Sequence, residues 1–254
     1  MDTEPLDAAV RLLSQARHVV ALTGAGISTR SGIPDFRSPD SGLWEQYDPA
    51  EVATIYGFRE NPRRFYEWIR PLARAILDAE PNAAHHALAR MEAIGRLKCV
   101  ITQNIDMLHT KAGSQTVYEA HGHLREVTCI QCFSVFPAQG FIHEFLESHT
   151  IPCCPVCHDT LKPNVILFGE QLPARVLFAA QREARQCDVM LVAGSSLEVF
   201  PAAELPILAR RSGASVIIVD LRPTAMDDLA DVLIRGDVVD ALPRLATALE
   251  NEEK

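Results

Sequence analysis

The sequence predicts an α/β fold: a Rossmann-like parallel sheet with helices on both faces, carrying a small lobe made of a cysteine (zinc-ribbon) module and a helical module. Three observations predict it: short apolar runs that recur along the chain, helix-like segments between them, and two stretches that break the alternation, one aromatic and one rich in cysteine. An all-apolar strand is one buried on both faces, the state of a strand in a parallel sheet covered by helices. Ligands of such sheets bind outside the carboxyl ends of the strands, so the residues that follow each run are the candidates for a site.

Taken in order, Leu6, Val10, Leu13 and Arg17 are spaced along one helix face within residues 5–17. His18-Val19-Val20-Ala21-Leu22-Thr23 then reads as a short buried strand running into Gly24-Ala25-Gly26. Cys99-Val100-Ile101-Thr102, Val189-Met190-Leu191-Val192-Ala193 and Val216-Ile217-Ile218-Val219-Asp220 are further strands, with helices expected at Ala83 to Ile94 and Leu205 to Ser212. From about Gly32 to Pro71 the chain carries Phe36, Trp44, Tyr47, Tyr56, Phe58, Phe65, Tyr66 and Trp68, expected as a helical insertion. Cys129 to Cys157 holds two C-x-x-C pairs.

Composition narrows the function classes. With 24 Lys and Arg against 33 Asp and Glu, a net charge of −9 and no basic run, the chain is a poor match for nucleic acid, whose phosphates need clustered cations. Its 254 residues are enough to bury roughly 75% of the unfolded surface. No apolar stretch approaches the ~20 residues that span a bilayer. The opening Met1-Asp2-Thr3-Glu4 is acidic rather than a cationic leader, so a cytoplasmic protein with no membrane partner is expected. Only Glu250 to Lys254 is expected to fray.

Seven cysteines, four of them in two close pairs, suggest a metal before a disulfide framework in a reducing compartment. Cys129 with Cys132 and Cys154 with Cys157 each set two sulfurs one tight turn apart, the bite that tetrahedral zinc needs. The 21 residues between the pairs lie just above the usual ~15–20. Cys153 offers a competing register, but a two-residue spacer to Cys157 favours Cys154. Four thiolates leave no open position, so such a zinc is structural.

Gly24-Ala25-Gly26-Ile27-Ser28 follows a strand like a dinucleotide turn, in which glycines admit a phosphate to backbone amides. Thr29 replaces the third glycine of that pattern, and the acidic residues about 20 positions on, Glu45 and Asp48, lie in no plausible strand. An ordinary dehydrogenase is therefore a poor fit, and a plain glycine turn explains the segment as well. Gly194-Ser195-Ser196 and Asp220 end two other strands, where a turn and a carboxylate suit phosphates and ribose hydroxyls, or merely strand-end chemistry. The packed amides and carboxylate of Gln103-Asn104-Ile105-Asp106 are costly at a strand end unless they hold a polar ligand. His121, beside Gly122 after the strand-like Thr116 to Ala120, suits a base near neutral pH. His123 competes with it, and spacing alone does not choose.

Taken together these segments resemble the sirtuin family of NAD-dependent protein lysine deacylases. The resemblance runs from about Val19 to Val239, through Gly24-Ala25-Gly26-Ile27-Ser28, Gly32-Ile33-Pro34-Asp35-Phe36-Arg37, Thr102-Gln103-Asn104-Ile105-Asp106, His121-Gly122, both cysteine pairs, Lys162-Pro163-Asn164-Val165, Phe168-Gly169-Glu170 and Gly194-Ser195-Ser196. It implies one catalytic domain over 1–254, with a large part at about 1–34, 75–125 and 170–250. The small lobe would combine the helical insertion, about 35–74, with the zinc module, about 126–165. NAD and an acyl-lysine peptide would enter the cleft between them from opposite sides.

The resemblance also assigns roles. Gly24, Ala25, Gly26, Ile33, Asp35, Phe36 and Arg37 would line the cofactor, and Gln103, Asn104, Ile105 and Asp106 would hold its nicotinamide end. Gly194, Ser195 and Ser196 would face the phosphates and adenosine, with Asp220, Leu221 and Val238 near the adenine or its ribose. Val165, Ile166, Phe168, Gly169 and Glu170 would pair with the substrate backbone as an added strand. His121, with Asn104 and Asp106, would be catalytic: the acyl oxygen displaces nicotinamide from the ribose, and His121 takes a proton through the ribose hydroxyls, help typically worth ~10²–10⁴ in rate. The products would be nicotinamide, free lysine and 2′-O-acyl-ADP-ribose. Mono-ADP-ribosylation of protein is the alternative reaction, and a non-catalytic NAD-sensing or zinc-ribbon module the alternative class.

Members of the family that remove succinyl or malonyl groups carry a Tyr and an Arg three residues apart in the helical module. Here Ile69 stands three residues after Tyr66, so acidic acyl groups are expected to be poor substrates. Asn is common in the family where Asp220 stands, and a carboxylate there would repel the extra phosphate of NADP.

Overall fold

The structure is a computed structural model that describes residues 3–39 and 42–252. The first half of the chain runs α1 (Thr3–Gln15), β1 (Val19–Thr23), α2 (Leu43–Gln46), α3 (Pro49–Val52), α4 (Ile55–Glu60), α5 (Pro62–Asp78), α6 (Ala83–Ala93), β2 (Leu97–Thr102), α7 (Leu108–Lys111) and β3 (Val117–Glu119). The second runs β4 (Gly122–Cys129), β5 (Val135–Pro137), α8 (Gln139–Ser148), β6 (Leu161–Val165), α9 (Ala174–Gln186), β7 (Val189–Ala193), α10 (Leu205–Arg211), β8 (Ser215–Asp220), β9 (Val232–Arg235) and α11 (Val238–Glu252). Of the end expected to fray, residues 250–252 instead close α11, with Glu250 paired to Arg90 at 2.5 Å, and residues 253–254 lie outside the described residues.

Six strands form one sheet in the order β3-β2-β1-β7-β8-β9, with every neighbouring pair parallel. Counted within that sheet the order is 3-2-1-4-5-6, the doubly wound arrangement whose direction reverses between β1 and β7. Strand β1 shows why its sequence reads as continuously apolar. Val19 and Ala21 enter a cluster with Leu13, Leu88, Met91, Leu242 and Leu245 from α1, α6 and α11. Val20 and Leu22 enter another on the opposite face, with Ala184, Leu205 and Ala209 from α9 and α10.

A third cluster joins the helical insertion to the cysteine module. Phe65, Tyr66, Trp68, Ile69, Leu72, Ala73 and Ile76 form one stripe of α5 and meet Ile142 and Phe145 of α8. Leu124, Val127 and Leu161 of the antiparallel sheet β5-β4-β6 complete it. Sequence reading ends the aromatic stretch at Pro71, whereas α5 runs through that proline to Asp78. An interior proline costs about 3 kcal/mol, and burying a Leu or Ile side chain returns roughly 1.5–3 kcal/mol each, so Leu72 and Ile76 together carry the helix onward. Among the described residues no helix is long and apolar enough to cross a membrane.

Candidate active site

The site is built where the strand order reverses, between β1 and β7. Gly24 N donates to Ala193 O at 3.3 Å and Gly26 N donates to Gly194 O at 2.9 Å, so the turns after β1 and β7 lie in direct backbone contact. A Cβ on Gly24 would sit 2.8 Å from Gly194 O, and one on Gly194, at φ +62°, would sit 2.4 Å from Ile27 N. No side chain fits, and what remains is a bare backbone cradle that a phosphate-bearing ligand such as a dinucleotide can approach closely.

Behind the cradle lies a buried polar network. Asp106 accepts from Ser28 Oγ at 2.6 Å and from Leu108 N at 2.9 Å. Asn104 Nδ2 donates to Gly24 O and to Ser28 Oγ, both at 3.1 Å. His85 Nδ1 accepts from Asn82 N at 3.3 Å, which leaves Nε2 as the N–H, 3.5 Å from Ser28 Oγ. The Ser28 hydroxyl thus gives its one proton to Asp106 and faces donors from Asn104 and His85. Burial raises the Asp106 pKa, and the bonds from Ser28, Leu108 and Asn104 oppose it. Burial pushes His85 down to about 4 and His109 down to about 3, so both rings are neutral. The rings meet edge to face at 4.9 Å, and His109 Nε2 lies 2.9 Å from Thr23 Oγ1.

Ser28, His85 and His109 are the residues to which sequence reading gave no role. Of these only His85 has a local signal, a capping pattern of Asn82 followed by His85 at the start of α6. The contact between His85 and Ser28, 57 positions apart, exists only after α6 packs on the sheet.

The structure separates the two histidines that spacing left undecided. His121 Nδ1 lies 3.0 Å from Gln103 O, and a carbonyl only accepts, so Nδ1 carries the proton and Nε2 keeps a free lone pair. Burial lowers its pKa, against the bond to Gln103, so the basic form persists below the usual imidazole range. Gln103 Nε2 donates to Ser195 Oγ at 2.8 Å, tying this turn to the one after β7. His123 lies beyond Gly122 and lines a separate crevice of about 620 Å³ with Glu119, Arg125 and Asn164.

The remaining cofactor candidates surround the cradle unevenly. Ile33 is buried, while the Asp35 carboxylate is occupied by its own loop, accepting from Arg37 N at 3.0 Å, from Ser38 N at 2.7 Å and from Ser38 Oγ. Phe36 packs against Trp44 at 5.1 Å, and Arg37 pairs with Glu198 at 2.7 Å. Asp220 accepts from Arg222 N at 2.9 Å, and burial raises its pKa. Ser196 is half-buried, Leu221 is exposed, Val238 is buried at the start of α11, and Ala25 opens a single 3₁₀ turn. Ile105 packs against the third cluster.

In the 165–170 segment, Ile166 N donates to His121 O at 2.9 Å, and Phe168 exchanges bonds of 2.9 and 3.0 Å with Ala53 O and Ile55 N. The backbone of Phe168 is therefore committed to the helical insertion. Among the described residues, the Ile166 carbonyl and Gly169 N–H are free of such bonds.

Cys129, Cys132, Cys154 and Cys157 bring their sulfurs within 4.8 Å of one another, with 3.3 Å between Cys129 and Cys157 and 3.6 Å between Cys132 and Cys154. Zinc–sulfur bonds of about 2.3 Å in a tetrahedron set the sulfurs about 3.8 Å apart, so the cluster fits such an ion. Gln131 N and Cys132 N point at Cys129 Sγ, and Val156 N at Cys154 Sγ, all at 3.4 Å, donors that favour thiolates. Cys153 faces away, toward Ile151 O.

Comparison with known proteins agrees with this geometry. The Sir2 family model matches residues 24–201. The NAD-dependent protein deacylase 2 of Archaeoglobus fulgidus is 48% identical over 238 residues, 93% of this chain and 93% of its own. A solved structure described as a basis for the mechanism and regulation of Sir2 enzymes superposes with a TM-score of 0.94 at 45% identity, covering 99% of this chain and 100% of the other. A Sir2 structure holding a deacetylated p53 peptide and 3′-O-acetyl ADP ribose superposes with a TM-score of 0.90 at 40% identity, covering 95% and 97%. With the switch-point cradle, the cysteine cluster and likeness along nearly its whole length, the chain belongs to the Sir2 family.

Proposed function

We propose that this protein removes acetyl and other uncharged acyl groups from protein lysine with NAD as cosubstrate, releasing nicotinamide and passing the acyl group to ADP-ribose. The observation that carries the reading is the orientation of His121: its proton is held on Nδ1 by the carbonyl of Gln103, a residue on the same turn as Asn104 and Asp106, while Nε2 stays available. A buried imidazole of lowered pKa, fixed in its basic tautomer beside a backbone cradle, suits taking a proton from a ligand hydroxyl. NAD supplies the glycosidic bond whose cleavage drives acyl removal. Gly24, Gly26 and Gly194 would meet its phosphates, Asn104 and Asp106 its nicotinamide end, and Asp220 a ribose. The Ile166 carbonyl and Gly169 N–H would bond the peptide main chain, so side chains flanking the acyl-lysine are read loosely.

Zinc held by Cys129, Cys132, Cys154 and Cys157 would be structural, because four thiolates leave no position for water. A cytoplasmic setting suits such thiolates, since reducing conditions keep them available. Tyr66 is buried and donates to Leu161 O at 2.5 Å, while Arg70 bonds His149 Nδ1 at 2.7 Å over the Phe145 ring. Ile69 therefore supplies no cation for an acidic acyl group, and the Arg70 guanidinium, its buried Nε unpaired, is held at His149 and the Phe145 ring.

The test is nicotinamide release from NAD by purified protein, with acetylated peptide and with the same peptide unmodified. Release that depends on the acetyl group is the expected result. Release without it, or labelled ADP-ribose left on protein, overturns the reading.

A further inference from the structure

Lys162 is a buried cation outside the catalytic network, and its sequence neighbourhood explains neither its burial nor its charge. On β6, Leu161, Pro163 and Val165 face the third cluster, while Lys162 and Asn164 face the crevice beside His123. Its ammonium has three protons and three acceptors: Pro163 O at 3.1 Å, Val165 O at 2.7 Å and the Glu170 carboxylate at 3.0 Å. The same Glu170 oxygen accepts from Leu167 N at 2.8 Å, and Glu170 N donates to Leu167 O at 3.0 Å. Both main-chain groups of Leu167 are thus closed by residue 170, and residue 170 is fastened to β6 by Lys162.

We propose that Lys162 is a positioning residue for the peptide: with Glu170 it staples the 165–170 segment so that inward main-chain groups are consumed and the Ile166 carbonyl and Gly169 N–H stay open to a substrate strand. The inference rests on the deacylase reading and adds the means by which its peptide edge is held. Glu170 then acts through its carboxylate on the segment itself, not on the peptide. Burial pulls the Lys162 pKa down while Glu170 holds it up. A surface lysine at this position would leave the Val165 and Leu167 groups to find other partners, and the segment to sample other shapes.

The test is steady-state kinetics on an acetylated peptide for wild type, Lys162→Met, Lys162→Arg and the double variant Lys162→Met with Glu170→Met. The double variant removes both charges, so no unpaired carboxylate stays buried to unfold the chain. Lys162→Met and the double variant are expected to raise the peptide KM about tenfold or more, with kcat and the NAD KM within about threefold. Lys162→Arg keeps a donor and is expected to restore most of the peptide KM. A folded double variant with the wild-type peptide KM overturns the proposal and leaves the deacylase reading standing. A wild type that releases no nicotinamide overturns both.

Discussion

The turns at the switch point and the cysteine knuckles both bind separate lengths of chain together, yet they draw on different sources of cohesion. At the switch point, Ser28, His85, Asn104 and Asp106 satisfy one another through hydrogen bonds that need no ligand. In the cysteine module two pairs, each local in sequence, converge on a centre where only thiol groups meet, 3.3 and 3.6 Å apart. The first region is preorganised by the chain itself, so single groups can be removed with the fold retained. On the proposed reading the second depends on a shared ion, so its loss would be collective.

Metal withdrawal is the strongest way to break that comparison. A structural four-thiolate site carries on the order of 10 kcal/mol of binding free energy that is also folding free energy. A strong chelator is expected to strip about one zinc per chain, lower the melting temperature and abolish nicotinamide release. Metal analysis and thermal melts, each with and without chelator, measure it; an unchanged melt after zinc loss would place the module's cohesion elsewhere. His121→Ala is the opposite case. Acyl removal should fall by about 10²–10⁴, the usual worth of a general base, while NAD affinity and melting temperature stay near wild type. Single-turnover assays with calorimetric NAD titration test this, and full turnover by the variant would remove His121 from its role.

What could be read beforehand follows the same division. Strand β1 with Gly24, and the pairs Cys129-Cys132 and Cys154-Cys157, are legible because their information lies within a few residues. The different settings of His121 and His123 are not legible in the spacing, and between them lies Gly122, at φ +77°, where an added Cβ would fall 2.0 Å from Asn164 O. Asp35 shows another limit: its motif marks the loop, but only the folded loop reveals that the carboxylate caps Arg37 and Ser38. The closure of Glu170 onto Lys162 likewise requires the bend of the segment between them.

The layer between the two regions sharpens the comparison through the acyl group. Tyr66 and Ile69 are buried with Phe145, Leu124 and Val127, and the charge of Arg70 is directed at His149. An acyl carboxylate in that layer would have to be desolvated with Ile69 offering no charge and Arg70 turned to His149. Matched peptides are expected to give acetyl-lysine turnover about tenfold or more above succinyl-lysine turnover. The reverse ranking would require a cation that moves to the site when substrate binds.

Acid stability separates the regions with the smallest effect. In the native protein His85 and His109 titrate at about 4 and about 3, because burial disfavours their charged forms. Unfolded, each titrates near ~6.5. Between those values the unfolded chain binds more protons, so stability is complete above the unfolded pKa and falls as pH drops. Each imidazole contributes a slope of about 1.4 kcal/mol per pH unit within its window. Asp106, whose folded pKa is raised, has the opposite sign and offsets part of the loss at the acid end. Thiolates also release metal as they are protonated, so the pH profile of wild type alone mixes the two regions. His109→Phe keeps the ring against His85 and removes one titrating site; the unpaired Thr23 hydroxyl lowers stability by an amount independent of pH. Unfolding free energies from urea melts between pH 7 and pH 5 should therefore show a shallower dependence in the variant, by about 1 kcal/mol per unit averaged over that range, because the metal's share cancels in the difference. Equal slopes would mean that His109 already takes up its proton in the folded chain, and that the buried network is less sealed from water than its hydrogen bonds indicate.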